Sequence, residues 1–271
     1  MNIVEAFISL TGKLLIFITG LPGCGKHNLA KNIKKDFKIK LIDQTDYRKK
    51  DYIHTIKLPD GSNIINWYTD EAIDWERLND DIDLFQKEGL LVVGLSLPND
   101  KIKSKPNYHI HLNISKQTCL ERRKIFYEKH KDKYEEEYLN INSPIEKLKM
   151  NILIYPYYLE SVTRSRVNKF ININNIDDDQ VYNIAFDALI DFIQNSINDI
   201  NKSPSEEVQI KTPNKYIPIT TESSKDCSLS IQIPNETEDE PKYMYDEELD
   251  MFDKYDETDY EKREGRIRFI D

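Results

Sequence analysis

Cysteine, basic charge and long apolar runs are all scarce in this chain, and each scarcity removes a class of protein. Only three cysteines occur among 271 residues, Cys24, Cys119 and Cys227, far apart in sequence. They fit neither a disulfide framework nor metal-ligand spacing, so a reducing compartment, cytoplasmic or nuclear, is expected. No run reaches the roughly 18 apolar residues of a membrane-spanning helix, so no membrane association is expected. The apolar stretch 3–10 contains Glu5, has no basic leader and is soon broken by Gly12-Lys13, and so does not read as a signal peptide. The formal net charge of −10 does not suggest nucleic acid or an acidic membrane surface as a partner.

The negative charge is unevenly spread. Residues 1–201 carry 28 Lys and Arg against 29 Asp and Glu, whereas residues 202–271 carry 10 against 19. The run Asn201-Lys202-Ser203-Pro204-Ser205 has the composition of a linker, and the acidic, Pro/Ser/Thr-containing stretch beyond it shows no sustained periodicity. Such a segment buries too little apolar area to offset its ordering entropy. The chain therefore divides into a domain over 1–201 and an acidic, largely disordered tail over 202–271. Tyr243, Tyr245, Tyr255, Tyr260 and the terminal Arg266-Ile267-Arg268-Phe269-Ile270 could dock a protein partner; a plain solvated tail is the simpler reading.

What is present begins at residue 14. Residues 14–19 form a continuous apolar run, as a strand buried on both faces should. Gly20-Leu21-Pro22-Gly23-Cys24-Gly25-Lys26 follows at once, and Leu29, Ile33 and Phe37 then recur at helical spacing. Strand, glycine loop and helix in that order make a phosphate cradle: backbone N–H groups converge on phosphate oxygens and the lysine reaches the outer phosphates. The Ser or Thr hydroxyl that should follow the lysine to ligate Mg²⁺ is His27 instead. Further strands are expected over 39–43, 90–95, 108–114 and 170–173. Helices are expected over 72–87, 116–129 with a Ser115 N-cap, and 181–197 with Val181, Ile184, Ala185, Ala188, Leu189, Phe192 and Ile193 on one face. The alternation implies an α/β domain with a five-stranded parallel sheet.

These residues resemble the nicotinamide riboside kinase branch of the uridine kinase-like P-loop kinases. The likeness is carried by 20–33, by Leu41-Ile42-Asp43-Gln44-Thr45-Asp46-Tyr47-Arg48-Lys49, by Asn66-Trp67-Tyr68-Thr69-Asp70-Glu71-Ala72-Ile73-Asp74, and by Thr118-Cys119-Leu120-Glu121-Arg122-Arg123. Tyr155-Pro156-Tyr157-Tyr158 is a fainter echo of the family's Trp-Pro-x-Tyr. The likeness spans about residues 12–198. It implies a P-loop nucleoside-kinase fold with a helical lid near 122–155, and ATP-dependent phosphorylation of a small ribonucleoside of the nicotinamide riboside or uridine type. ATP would sit on Gly20, Gly23, Cys24, Gly25, Lys26, His27 and Asn28. Lys26, Arg122 and Arg123 would stabilise the transferring phosphoryl group. Trp67, Tyr68 and Asp70 would meet the nucleoside, and Mg²⁺ would be expected for activity.

The chain departs from the family at the same centre. Val93 aligns where an acidic residue helps hold the metal, and Tyr68 where an Asp contacts the ribose. Matching Tyr47 and Lys49 to the family's aromatic-x-Lys puts Thr45 at the catalytic base, whereas an ungapped count from Lys26 puts Asp46 there; Asp46 is the candidate base. The sequence identifies no metal ligand. The alternative reading is a catalytically impaired nucleotide-binding or interaction protein on the same fold. Two smaller features stand beside these. His109 and His111 share one face of a strand, where a structural role is the simpler reading than a metal pair. Cys24 lies within the loop with no identifiable resolving cysteine.

Overall fold

A computed structural model describes residues 3–202 apart from 59, 60, 62, 134, 136–138, 140 and 142. The elements in chain order are α1 (Ile3–Thr11), β1 (Leu15–Gly20), α2 (Lys26–Phe37), β2 (Lys40–Asp43), the hairpin β3 (Thr55–Lys57) and β4 (Asn63–Ile65), α3 (Trp75–Phe85), β5 (Leu90–Gly94), β6 (Tyr108–Asn113), α4 (Lys116–Lys129), α5 (Pro144–Lys149), α6 (Tyr155–Thr163), β7 (Lys169–Asn172) and α7 (Asp178–Lys202). A π-helical turn, Met150–Ile154, joins α5 to α6. The tail expected beyond Lys202, with its tyrosines and Cys227, lies outside the described residues.

Five strands form one sheet in the order β2-β5-β1-β6-β7, every pairing parallel. β1 is central, and it and its neighbour β5 are buried throughout, as expected when helices cover both faces of a sheet. Alternation along β1 divides the core. Ile16 and Ile18 pack with Ala30 and Ile33 of α2 and Ala185 and Leu189 of α7. Leu15 and Phe17 pack with Leu78 and Ile82 of α3. The period of two along an extended chain puts neighbouring residues on opposite faces, so one short strand supplies both cores. Parallel strands with the glycine loop between β1 and α2 make this a P-loop NTPase fold of the α/β class.

The expected strands fall within a residue or two of those observed, and Ser115 caps α4 by accepting from the Thr118 amide. One reading needs correction, the face of the last helix, and two elements go unread in the sequence. The apolar stretch 3–10 is helix α1, whose Val4 and Phe7 are buried; the Phe7 ring lies 5.7 Å from that of Phe192 on α7. The inward face of α7 is Val181, Ala185, Leu189 and Ile193, while Ile184 is exposed, because four-residue steps track the contact stripe and 184 falls off it. The β3–β4 hairpin is too short for periodicity to reveal it.

Candidate functional site

The loop between β1 and α2 has the backbone that its glycines predict. Gly23 and Gly25 take φ of +80° and +83°, a region costly for residues with a Cβ. Gly20 is needed for space: a Cβ there would fall 2.8 Å from the Leu112 carbonyl oxygen and 2.7 Å from Cys24 Sγ. Gly25, the N-cap of α2, has no side chain to bond the first-turn amides, and the positive end of a three-turn helix faces the loop mouth.

Over this mouth opens a cavity of about 500 Å³ lined by Gly23, Gly25, Lys26, His27, Asn28 and, from α4, Arg122, Arg123, Phe126 and His130, with Asp178 at the start of α7. Two buried cations reach it. Lys26 is 3% exposed and Arg123 is 4% exposed. Arg123 Nη2 donates to Glu146 Oε2 at 2.7 Å, and Lys149 Nζ holds the other oxygen at 3.1 Å. Burial opposes charge on Arg123, but Glu146 outweighs it and holds the guanidinium above its usual pKa. Burial likewise raises the Glu146 carboxyl, and Arg123 with Lys149 brings it below the carboxylate norm. Arg123 Nε and Nη1 are buried and have no hydrogen-bond partner among the described residues. Arg122 is different: it pairs with Asp178, which also accepts from Asn28 at 3.3 Å.

Not every loop residue reaches the cavity. Cys24 is buried in the core under the loop, and neither it nor Gly20 is among the lining residues. Phe126 and His130 are additions that sequence reasoning missed. Their rings stack with centroids 4.4 Å apart. The signal was available as four-residue spacing from Arg122, which puts 122, 126 and 130 on one face of α4.

The expected nucleoside residues lie elsewhere. Asn66, Tyr68, Thr69 and Asp70 line a second cavity of about 360 Å³, with Tyr157, Glu160 and Arg164 on the far side. A narrow space of about 20 Å³, between Gln44, Thr45, Arg48, Trp67 and Tyr157, adjoins Tyr68. Trp67 lies 5.5 Å from the Tyr52 ring, with the Arg48 guanidinium 5.5 Å above it. Asp70 is heavily engaged. It receives Arg164 at 2.9 and 3.2 Å, Lys101 at 3.2 Å and Tyr157 at 3.1 Å. Burial raises its carboxyl, but the bonds from Arg164, Lys101 and Tyr157 outweigh this and hold it below the usual carboxylate value. Asp46 sits on the 3₁₀ turn Gln44–Tyr47, its carbonyl taking Arg77. It lines neither the large cavity nor the space beside Trp67; Thr45 lines the latter.

At the position expected for a metal, His27 Nε2 lies 2.7 Å from Asp43 Oδ2, with both side chains under one-tenth exposed. The other carboxylate oxygen accepts from Thr45 N at 2.8 Å and Thr45 Oγ1 at 2.7 Å. Val93, the register partner of Asp43 on β5, is fully buried and carries no donor. Among the described residues no three His, Cys, Asp or Glu side chains gather as a metal site. An imidazole and a valine where oxygen donors are expected do not suit Mg²⁺, which takes oxygen ligands.

His109 and His111 form a closed buried chain. His109 Nδ1 meets the Arg166 carbonyl at 2.9 Å, His109 Nε2 and His111 Nδ1 each lie 2.8 Å from Thr19 Oγ1, and His111 Nε2 lies 2.6 Å from the Tyr158 hydroxyl. A carbonyl only accepts, so His109 carries its hydrogen on Nδ1 and takes one from Thr19 on Nε2. Thr19 then accepts from His111, which accepts from Tyr158. Every position is filled with both imidazoles neutral, and burial pushes both pKa values down to about 4. The pair is structural, tying β1, β6 and α6 together.

No family model matches the chain, and no curated protein matches it. Among solved structures, it is similar to a gluconokinase from Sinorhizobium meliloti 1021 at 13% identity, with a TM-score of 0.43, covering 69% of this chain and 97% of that one. An uncharacterized protein from Eubacterium ventriosum ATCC 27560 matches at 17% identity, TM-score 0.38, over 68% of this chain and 99% of that one. A shikimate kinase from Bacteroides thetaiotaomicron matches at 16% identity, TM-score 0.37, over 67% and 98%. The fold assignment rests on the strand order and the loop rather than on these scores. No helix among the described residues is long and apolar enough to cross a membrane.

Proposed function

We propose that this chain binds a nucleotide in the cavity above the P-loop and is built as an ATP-dependent kinase of a small ribonucleoside. The observation that carries the reading is the convergence of Lys26, Arg123 and the uncapped start of α2 on one cavity of about 500 Å³. Arg123 has two nitrogens left for phosphate oxygens, and a planar guanidinium suits phosphate recognition. Phe126 and His130 offer ring faces to a base at the same cavity. The acceptor, of nicotinamide riboside or uridine type, would enter between Trp67, Tyr68 and Tyr157.

Within that reading Lys26 and Arg123 position the phosphates and stabilise charge on the transferring group, the main requirement of phosphoryl transfer. Arg122, held by Asp178, closes the cavity's rim. Asp46 is the proposed base, reaching the acceptor only if the turn 44–47 rearranges, since Thr45 now lines that space. We place the domain boundary at residue 201, with the acidic segment beyond it as a contact region for a protein partner.

One observation favours a second reading, a nucleotide binder impaired in catalysis. His27 and Asp43 face each other at 2.7 Å where metal ligands belong. ADP production from Mg-ATP against a nucleoside panel, with Lys26→Ala in parallel, separates the two. Turnover abolished in Lys26→Ala supports the kinase. No turnover above that variant, from folded protein that binds ADP, supports the impaired binder.

A further inference from the structure

We infer that nucleotide binds at this cradle without a divalent cation held by the protein, so that affinity does not rise with Mg²⁺. The inference rests on the nucleotide reading and adds the metal requirement of that same site. Three positions carry it. His27 occupies the place of the metal-binding hydroxyl, and its Nε2 is 2.7 Å from Asp43 Oδ2. An imidazole is a poor ligand for Mg²⁺, which takes oxygen donors. Asp43 Oδ1 is committed to the Thr45 amide and hydroxyl. One oxygen of this nearly buried carboxylate is thus hydrogen-bonded within the protein, and the other faces the imidazole at ion-pair distance. Val93 beside it offers only methyl groups to the place where a second oxygen belongs.

The cavity also supplies what a cation would. Lys26 and Arg123 are buried at its wall, and Arg123 Nε and Nη1 have no hydrogen-bond partner among the described residues. A divalent ion on the phosphates would neutralise charge that these two cations meet directly, in a setting where water screens little. Metal-free nucleotide is therefore expected to bind at least as well as its Mg²⁺ complex.

Calorimetric titration of the full chain with ADP tests this, first in excess EDTA, then in excess Mg²⁺, then in Mn²⁺, which imidazole accepts more readily. The expected result is a Kd in EDTA equal to or below that with either metal. A Kd tighter in Mg²⁺ or Mn²⁺ by more than about threefold overturns the inference and leaves the nucleotide reading standing. No ADP binding in any condition, from protein with a cooperative melt, overturns the nucleotide reading and the inference with it. His27→Thr restores a hydroxyl and frees Asp43 Oδ2; the expected change is a preference for Mg²⁺ absent from the parent. A folded His27→Thr protein still indifferent to Mg²⁺ overturns the assignment of the effect to His27. If that variant does not fold, the parent titrations decide alone.

Discussion

His27 Nε2 and Asp43 Oδ2 lie 2.7 Å apart, joining the first turn of α2 to the C-terminal end of β2 beneath the P-loop. The pair couples the helix that follows the glycine loop to strand β2. Removing the imidazole leaves a nearly buried carboxylate oxygen without it. His27→Ala is expected to destabilise the protein by about 2 kcal/mol, a fall in Tm of about 4–8 °C for a domain this size. An unchanged melting temperature would show that water replaces the imidazole without loss.

Arg123 and Glu146 form a buried pair that serves both stability and the site. Arg123→Met is expected to abolish nucleotide binding and to cost about 3–5 kcal/mol, because among the described residues the Glu146 carboxylate is left with Lys149. Arg123→Met with Glu146→Leu is expected to recover part of the stability but none of the binding. Chemical denaturation of both variants checks the first half and ADP titration the second. A double variant less stable than the single would contradict the argument.

The two loop glycines differ in a way that substitution can resolve. Both have positive φ, but a Cβ on Gly23 would lie 2.5 Å from Arg123 Cγ, whereas at Gly25 the nearest atom is 3.6 Å away. Gly25→Ala is expected to cost about 1–2 kcal/mol from backbone strain alone, and Gly23→Ala more, with displacement of Arg123. Equal melting temperatures for the two variants would refute the steric component.

The buried His109–Thr19–His111 chain sets a pH dependence. Burial holds both imidazoles at about 4 in the folded protein, below the value of about 6.5 in an unfolded chain. Between these values the unfolded state binds protons that the folded state does not. Stability is therefore full above about pH 6.5 and falls as pH drops toward about 4, by up to about 3 kcal/mol per histidine. Thermal melts across this range check it; His111→Gln is expected to flatten the slope, and an unaltered slope would assign the dependence to other groups.

Much of this was legible in the linear chain, for local reasons. Apolar runs at 14–19 and 90–95 mark strands buried on both faces, Ser115 announces the start of α4, and the spacing of Gly20, Gly23, Gly25 and Lys26 makes a phosphate cradle through backbone geometry alone. Helix α1 and the β3–β4 hairpin were not legible, because short segments draw their stability from partners distant in sequence.

That His27 and Val93 stand where the resembled family has a hydroxyl and an acid could be read residue by residue. That the imidazole closes on Asp43 required the parallel register of β2 and β5, which brings the end of one strand beside α2. The same holds for Arg123, whose charge is matched by Glu146 from α5, and for Asp70, whose carboxylate is occupied by Arg164, Lys101 and Tyr157. The sequence by itself determined the P-loop, its helix and the α/β alternation, since these follow from local conformational preference and hydrophobic period. Only the tertiary structure decided which charges meet, because pairing depends on distances between side chains that the chain's order does not constrain.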